Sequence, residues 1–184
     1  TLDRSSAASD VYKRQESVFP ANVVSLVAVR LDQKLNGDSV PPERHVTVQT
    51  RPIHTLNAGH AVAVLPIDWS IAGEAEMGTF PRDPNPIQHY GLIVQCLVSD
   101  WSEESGISRL SLLSRRVRNT LISDRVLHQA LRGLACTEDE TRERFHALKV
   151  LRQNFLVNDT DEATTALYLS TTEITVVTEV IGPV

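Results

Sequence analysis

The segment from residue 90 to residue 98 constrains the fold most, because it is apolar on both faces that a strand would present. Every second residue from Tyr90 to Val98 belongs to one apolar row, and most of the residues between them are apolar as well. Side chains of a strand alternate between the two faces of a sheet. A strand that is apolar on both faces is typical of a sheet interior. The segment therefore predicts a central strand.

The residues before this strand predict one helix and two further strands. Apolar residues recur at four-residue steps within residues 18–35, which indicates a helix, and Asn36-Gly37 supplies its stop signal. Alternating β-rich segments at residues 45–50 and 61–65 predict two strands. The glycines and prolines of residues 71–88 predict a long loop.

The residues after the central strand predict a pair of helices. Residues 107–121 carry one apolar stripe at helical spacing, and residues 127–134 carry another. Thr137-Glu138-Asp139-Glu140 matches a capping box, which predicts a further short turn of helix.

The last forty residues predict a terminal hairpin. Its strand-like segments are residues 150–157, 166–169 and 174–177, and the turn-rich Asn158–Asp161 follows the first of them. Strands and helices do not alternate regularly along the chain. The order therefore predicts an α+β fold with a mostly antiparallel sheet, packed by an N-terminal helix and a central helix pair and closed by this hairpin.

The first fifteen residues differ in origin from the rest of the chain, as their sequence indicates. Residues 5–15 read Ser-Ser-Ala-Ala-Ser-Asp-Val-Tyr-Lys-Arg-Gln, which resembles the translation of a sequencing-library adapter. Segments of this kind are left out of fold reasoning. We expect residues 1–15 to be non-native and residues 16–184 to form one domain, a size usual for single domains.

Composition excludes some classes of function. The chain has 18 Lys and Arg against 23 Asp and Glu, a net charge of −5, and the balance stays acidic without residues 1–15. A general nucleic-acid binder needs a basic surface, so this class is disfavoured. Cys96 and Cys136 fall in or beside apolar segments and are predicted to be buried thiols. No apolar run approaches the ~18 residues of a membrane-spanning helix.

The sequence contains no recognisable catalytic, metal or cofactor motif. The histidines are irregularly spaced, without a His-Glu-x-x-His pattern or paired cysteines, and no glycine-rich phosphate loop occurs. We therefore expect no enzyme activity, metal or cofactor. The alternative from another class is a small hydrolase or nuclease with a site built from scattered residues. Its candidates would be His54, His60, Asp68 and Asp100.

Charged residues cluster in two neighbouring stretches, which raises the hypothesis of a contact between subunits. The basic candidates are Arg109, Arg115, Arg116 and Arg118, and the acidic candidates that follow are Glu138, Asp139, Glu140 and Glu143. The simpler interpretation is a solvated helix face with local ion pairs of about 0.2–0.5 kcal/mol each. The sharper hypothesis pairs the basic helix of one subunit with the acidic segment of the next, a head-to-tail contact that can close into a ring.

The C-terminal half resembles a known family. The segments that carry the resemblance are Ser111–Arg118, Arg142–Phe145, Val150–Val157, Leu167–Ser170 and Thr178-Glu179. They resemble the tail-terminator and related minor tail or head–tail joining proteins of long-tailed bacteriophages. That family is an α/β unit of an N-terminal helix, a sheet, a helix pair and a closing hairpin, the order expected here for residues 18–181. The resemblance implies no catalytic residue.

The resemblance implies a structural role in the virion, after assembly in the host cytoplasm. The expected role is a ring, commonly hexameric, that ends tail-tube growth and joins the tail to the head. The expected partners are copies of the chain, the tail tube protein and a head–tail connector protein, without a membrane, and DNA passes through without specific binding. Acidic residues would line the opening, namely Asp159, Asp161, Glu162 and Glu173. Another neck or baseplate component is the alternative within the same class.

Overall fold

The computed structural model describes residues 22–41, 44–53, 59–71, 87–134, 142–158 and 166–181. Residues 22–35 form helix α1. The other elements are β1 (Thr47–Gln49), β2 (Gly59–Ile71), β3 (Ile87–Asp100), α2 (Glu103–Ser123), α3 (Arg125–Leu134), β4 (Arg142–Asn158) and β5 (Ala166–Ile181). The adapter-like segment, residues 72–86 of the expected loop, Cys136 and the capping box at 137–140 lie outside the described residues.

The five strands form one sheet in the order β1-β2-β3-β5-β4. β1 runs parallel to β2, and the other three pairs are antiparallel. β3 lies in the middle of the sheet, which confirms the central strand predicted from its two apolar faces. The α+β fold with a mostly antiparallel sheet is likewise confirmed.

The closing hairpin is formed by β4 and β5, and β5 is one unbroken strand of 16 residues. The expectation of two short strands in its place was wrong. Ser170 and Thr172 interrupt the apolar pattern, but both side chains are fully buried. The Ser114 hydroxyl of α2 donates to the Ser170 hydroxyl at 2.8 Å, so the strand keeps a polar residue inside the core without breaking.

The hydrophobic core lies between the three helices and one face of the sheet. The predicted stripe of α1 is fully buried there, with Val23, Val27 and Leu31 at 0% exposure. Apolar residues of β2 and β3, such as Val62 and Val94, belong to the same core. Full burial of side chains of this size contributes about 1.5–3 kcal/mol each, which makes this layer the main source of stability.

Asn36 joins the end of α1 to the start of the sheet. Its side-chain amide donates to the Val46 carbonyl at 2.7 Å, and its amide oxygen accepts from the Val46 N–H at 2.7 Å. Gly37 follows, and a Cβ there would lie 2.9 Å from the Gln33 carbonyl oxygen. The stop signal at Asn36-Gly37 therefore both ends the helix and holds the chain that leads into β1.

Asp124 connects all three helices. Its Oδ1 accepts from the N–H groups of Val126 (2.9 Å) and Leu127 (3.3 Å), which caps the start of α3. Its Oδ2 pairs with Nε of Arg30 on α1 at 2.9 Å. Burial alone would raise the pKa of Asp124, but the hydrogen bonds from Arg30 and the two N–H groups outweigh it and hold the pKa below its usual value.

Candidate functional site

The four arginines of α2 lie on two different flanks of the helix. α2 buries one stripe of side chains along its length, against the sheet. Successive residues of an α-helix are rotated by about 100°. Arg109 and Arg116, two turns apart, therefore share one flank of the buried stripe, and Arg115 and Arg118 lie on the other. The structure brings together two of the predicted arginines and not four.

A groove of about 750 Å³ runs beside the flank of α2 that carries Arg109 and Arg116, and we call it the α2 groove. Its wall combines residues of α2 with residues of β2 and of the segment between α1 and β1. The lining residues are Ser39, Val40, Pro41, Arg44, Val46, His60, Arg109, Leu112, Leu113 and Arg116. Cationic groups therefore stand beside an apolar surface, to which Leu112 contributes a side chain that is 62% exposed.

Two of the three arginines in the α2 groove have no carboxylate partner within the described part of the chain. Arg116 donates to the Leu35 carbonyl at 3.3 Å, where a cation is favourable because the C-terminal carbonyls of α1 carry partial negative charge. Arg44 is exposed. Only Arg109 forms an ion pair, at 3.1 Å from Oδ2 of Asp100. The lining residues that the structure describes therefore carry a net positive charge.

The carboxylate of Asp100 bonds to residues at the start of α2. Its Oδ1 accepts from the Ser102 N–H at 3.2 Å, and its Oδ2 accepts from the Ser105 hydroxyl at 2.9 Å as well as from Arg109. These bonds hold the pKa of Asp100 below its usual value, and the bond from the Ser102 N–H has the largest effect. The carboxylate is thus ionised and engaged by its neighbours at the start of α2, where Ser102 is the N-cap residue.

His60 adds no charge to the groove near neutral pH. Burial lowers the pKa of this imidazole, and the positive charge of Arg109 lowers it further, while Asp100 acts in the opposite direction. The ring therefore stays neutral, and among the described residues it takes part in no hydrogen bond. Its role in the wall is that of a partly buried, uncharged surface.

The described residues of the hydrolase hypothesis do not all meet in one place. His60 pairs in register with Val98, whereas Asp68 pairs with Gly91. The two lie eight residues apart on β2, which corresponds to roughly 26 Å along a strand. His54 lies outside the described residues. Of the three candidates that the structure describes, His60 and Asp100 therefore lie at one end of the sheet and Asp68 does not.

Most of the predicted acidic residues fall where the structure gives no placement. Glu138, Asp139, Glu140, Asp159, Asp161 and Glu162 lie outside the described residues. Glu143 is in β4 and pairs in register with Val180. Glu173 is partly exposed in β5, next to the core residue Ile174, so it faces away from the helices, and its register partner on β4 is Arg152.

Sequence reasoning missed Arg44 and the groove itself. Arg44 is separated from the arginines of α2 by more than sixty residues, and no periodic pattern links it to them. The sequence could have shown that the arginines of α2 lie on two flanks, because their helical spacing already separates Arg109 and Arg116 from Arg115 and Arg118.

Within the described ranges, no group of three or more His, Cys, Asp or Glu lies close enough to hold a metal ion. No described helix is long and apolar enough to cross a membrane.

Comparison with known proteins adds a likeness in structure. No protein-family model matches the sequence, and no curated protein is similar to it. The chain is similar to one from a solved structure titled "Virion of native gene transfer agent (GTA) particle", at 13% identity and a TM-score of 0.44. The likeness covers 83% of this chain and 94% of that one. At this TM-score it carries no conclusion about function.

Proposed function

We propose that the chain is a structural protein of a phage virion that forms a ring at the head-proximal end of the tail. In this role it ends tail-tube growth and joins the tail to the head, with the tail tube protein on one side and a connector protein on the other. The observed order of α1, the sheet, the α2–α3 pair and the β4–β5 hairpin is the order expected from the resemblance to tail terminators. That agreement supports the proposal.

The α2 groove is the observation that carries the self-association. It presents Arg44 and Arg116 beside exposed apolar surface, on a chain whose net charge is −5. A positive groove on an acidic protein suits an acidic partner segment, and complementary charge governs which partner binds and in which register. Another copy of the chain offers such a segment.

The partner segment in this proposal is the acidic stretch of a neighbouring copy, with Glu138, Asp139, Glu140 and Glu143. The groove and the acidic stretch belong to different segments of the chain, so each copy would bind one neighbour through its groove and another through its acidic stretch. A head-to-tail contact of this type closes into a ring when the rotation between copies permits. The arginines on the opposite flank of α2, Arg115 and Arg118, take no part in it.

The mass of the purified protein in solution tests the proposal, measured by light scattering across a concentration series. We expect one discrete multiple of the chain mass, which dissociates as salt screens the contact. Arg44→Glu should weaken assembly, whereas Arg115→Glu, the same charge reversal on the other flank, should leave it intact. Replacing a single acidic residue of the stretch by Lys, with Glu138, Asp139 and Glu140 tried in turn, should restore assembly of the Arg44→Glu variant, because one reversed charge then faces another while Arg116 stays positive. Equal behaviour of the two arginine variants would contradict the groove contact.

The position in the virion requires a second test. Electron microscopy of tail tubes mixed with the protein should show it at one end of the tube and should show that tube growth stops. A protein found only at the distal end would identify a baseplate component instead. A single-copy protein with metal-dependent hydrolase activity would favour the enzyme alternative.

The opening of the ring is the last part of this proposal. Asp159, Asp161, Glu162 and Glu173 would line it, because like charge keeps DNA from adhering as it passes. Replacing Asp161 and Glu162 by Lys should leave the mass of the ring unchanged and slow DNA ejection from assembled particles. DNA ejection at the normal rate would show that these two residues do not have this role.

A further inference from the structure

His60 lies in the wall of the α2 groove, on the side of the sheet that carries the helices. It pairs in register with Val98 of β3, a residue of the hydrophobic core. Residues directly opposite each other on antiparallel strands point to the same face of the sheet. The imidazole is partly exposed, and among the described residues it has no hydrogen-bond partner. It can therefore bond to a group that enters the groove.

Among the described lining residues, His60 is the one whose charge can change near neutral pH. The other ionisable lining residues are Arg44, Arg109 and Arg116, and arginine stays protonated throughout this range. No Asp or Glu is among the described lining residues. His45 does not line the groove, and its Nε2 lies 3.1 Å from the Val40 carbonyl oxygen. Any change in the charge of this wall between about pH 5 and pH 8 therefore comes from His60.

The surroundings of His60 keep its ring neutral while the groove is empty. The charged groups around the ring are Arg109 and Arg116 of α2, Arg44 before β1, and Asp100 at the end of β3. Burial lowers the pKa of His60 most, the positive charge of Arg109 lowers it further, and Asp100 acts in the opposite direction. The empty groove thus disfavours a further positive charge.

An acidic occupant reverses this balance. The acidic stretch of a neighbouring copy would bring carboxylates beside His60, in a groove whose wall includes the apolar side chains of Leu112 and Leu113. A nearby carboxylate favours the charged form of an imidazole and so raises its pKa. Protonation also gives the ring a second N–H donor, which can bond to a carboxylate oxygen. The occupied groove therefore favours a proton that the empty groove rejects.

We infer that His60 takes up a proton when the acidic stretch of a neighbouring copy enters the α2 groove, so that subunits associate more tightly in mildly acidic solution. The inference rests on the proposed self-association and adds its regulation. The proton and the neighbouring copy strengthen each other's binding by the same factor. The contact gains strength as pH falls through the pKa of His60 in the occupied groove. The gain is complete once pH lies below the pKa of His60 in the empty groove.

The dependence of assembly on pH tests the inference. Light scattering across a concentration series, at constant salt, gives the dissociation constant of the assembly from about pH 8 to about pH 6. For the wild-type protein we expect this constant to fall by at least about threefold, since one proton changes it by at most about tenfold per pH unit. Carboxylates stay ionised across this range, so they do not contribute to the change.

Two variants assign the effect to one residue. His60→Gln keeps a polar side chain in the wall but cannot take up a proton, so its dissociation constant should not change with pH. His146→Gln is the matched control, because His146 is an exposed histidine of β4 that bonds to Glu179 at 2.9 Å and does not line the groove. The control should keep the pH dependence of the wild type. A His60→Gln variant that also keeps it overturns the inference.

Counting protons on the wild-type protein gives a second measurement. Calorimetric dilution of the assembly at about pH 6.5, in two buffers with different ionisation enthalpies, should show that dissociation releases protons. Dissociation of the His60→Gln variant should release none. Circular dichroism should show that both variants fold, and His60→Asn replaces His60→Gln if the larger side chain prevents folding.

The outcomes separate this inference from the proposed function. A wild-type assembly that releases no proton, or that is equally stable across the pH range, overturns the role of His60 and leaves the ring proposal standing. A wild-type protein that stays single at every concentration and pH overturns both.

Discussion

Gly106 of α2 lies directly against the aromatic ring of Tyr168 on β5, and a Cβ at residue 106 would overlap that ring. Tyr168 is 2% exposed and is one of the largest buried side chains of the core. The absence of a side chain at Gly106 therefore lets α2 approach β5 closely, and this contact is the basis of the first prediction.

Gly106→Ala is expected to destabilise the protein by about 1–3 kcal/mol, the usual cost of overpacking a core. Gly133→Ala is the matched control, because nothing lies within 4 Å of a Cβ built at that glycine of α3. The control should stabilise by about 0.5–1 kcal/mol, since alanine favours helix over glycine. Urea unfolding measures both, and a loss of stability in the control would contradict the packing argument.

Thr172→Val is expected to stabilise the protein by about 1 kcal/mol. The Thr172 hydroxyl is buried on β5 and has no hydrogen-bond partner among the described residues, so removing it removes a desolvation cost. Ser170→Ala is the counterpart two residues away, where the hydroxyl is bonded to Ser114. That change should destabilise by about 1 kcal/mol. Thermal unfolding that moves the same way for both variants would refute the distinction.

Asp124→Asn is expected to destabilise the protein by about 1.5–3 kcal/mol near pH 7, because the charged bonds to Arg30 are lost. The pKa of Asp124 is lowered in the folded state, so its contribution is present above the unfolded value near 3.8 and disappears as pH falls through the folded pKa. The difference from wild type should therefore shrink below about pH 4. Urea unfolding across this pH range measures it, with the exposed Asp38→Asn as control. A difference in stability that does not change with pH would show that the charge of Asp124 is not its cause.

Cys96 is expected to resist alkylation in the folded protein. Burial raises the pKa of its thiol to about 12, although a hydrogen bond with Ser114 acts in the opposite direction. The thiolate is the reactive form, so iodoacetamide at mildly alkaline pH should label Cys96 only after unfolding in urea. Peptide mass spectrometry measures the labelled fraction. Rapid labelling without denaturant would show that this part of the core opens readily.

The sequence alone determined the elements whose signal is local. The four-residue repeat of Val23, Val27 and Leu31 defined α1, and the two apolar faces of Tyr90–Val98 defined the central strand. Such patterns are set by neighbours within a turn or two of the chain, so they can be recognised without knowledge of the fold.

Only the tertiary structure decided which distant residues meet. Arg30 and Asp124 form their ion pair across 94 positions, and β5 inserts between β3 and β4 in the sheet. The α2 groove exists because the segment with Arg44 packs beside α2, and the buried Ser170 of β5 is satisfied by a hydrogen bond from the distant Ser114. These contacts depend on how strands pair and helices pack over long separations, which no local periodicity encodes.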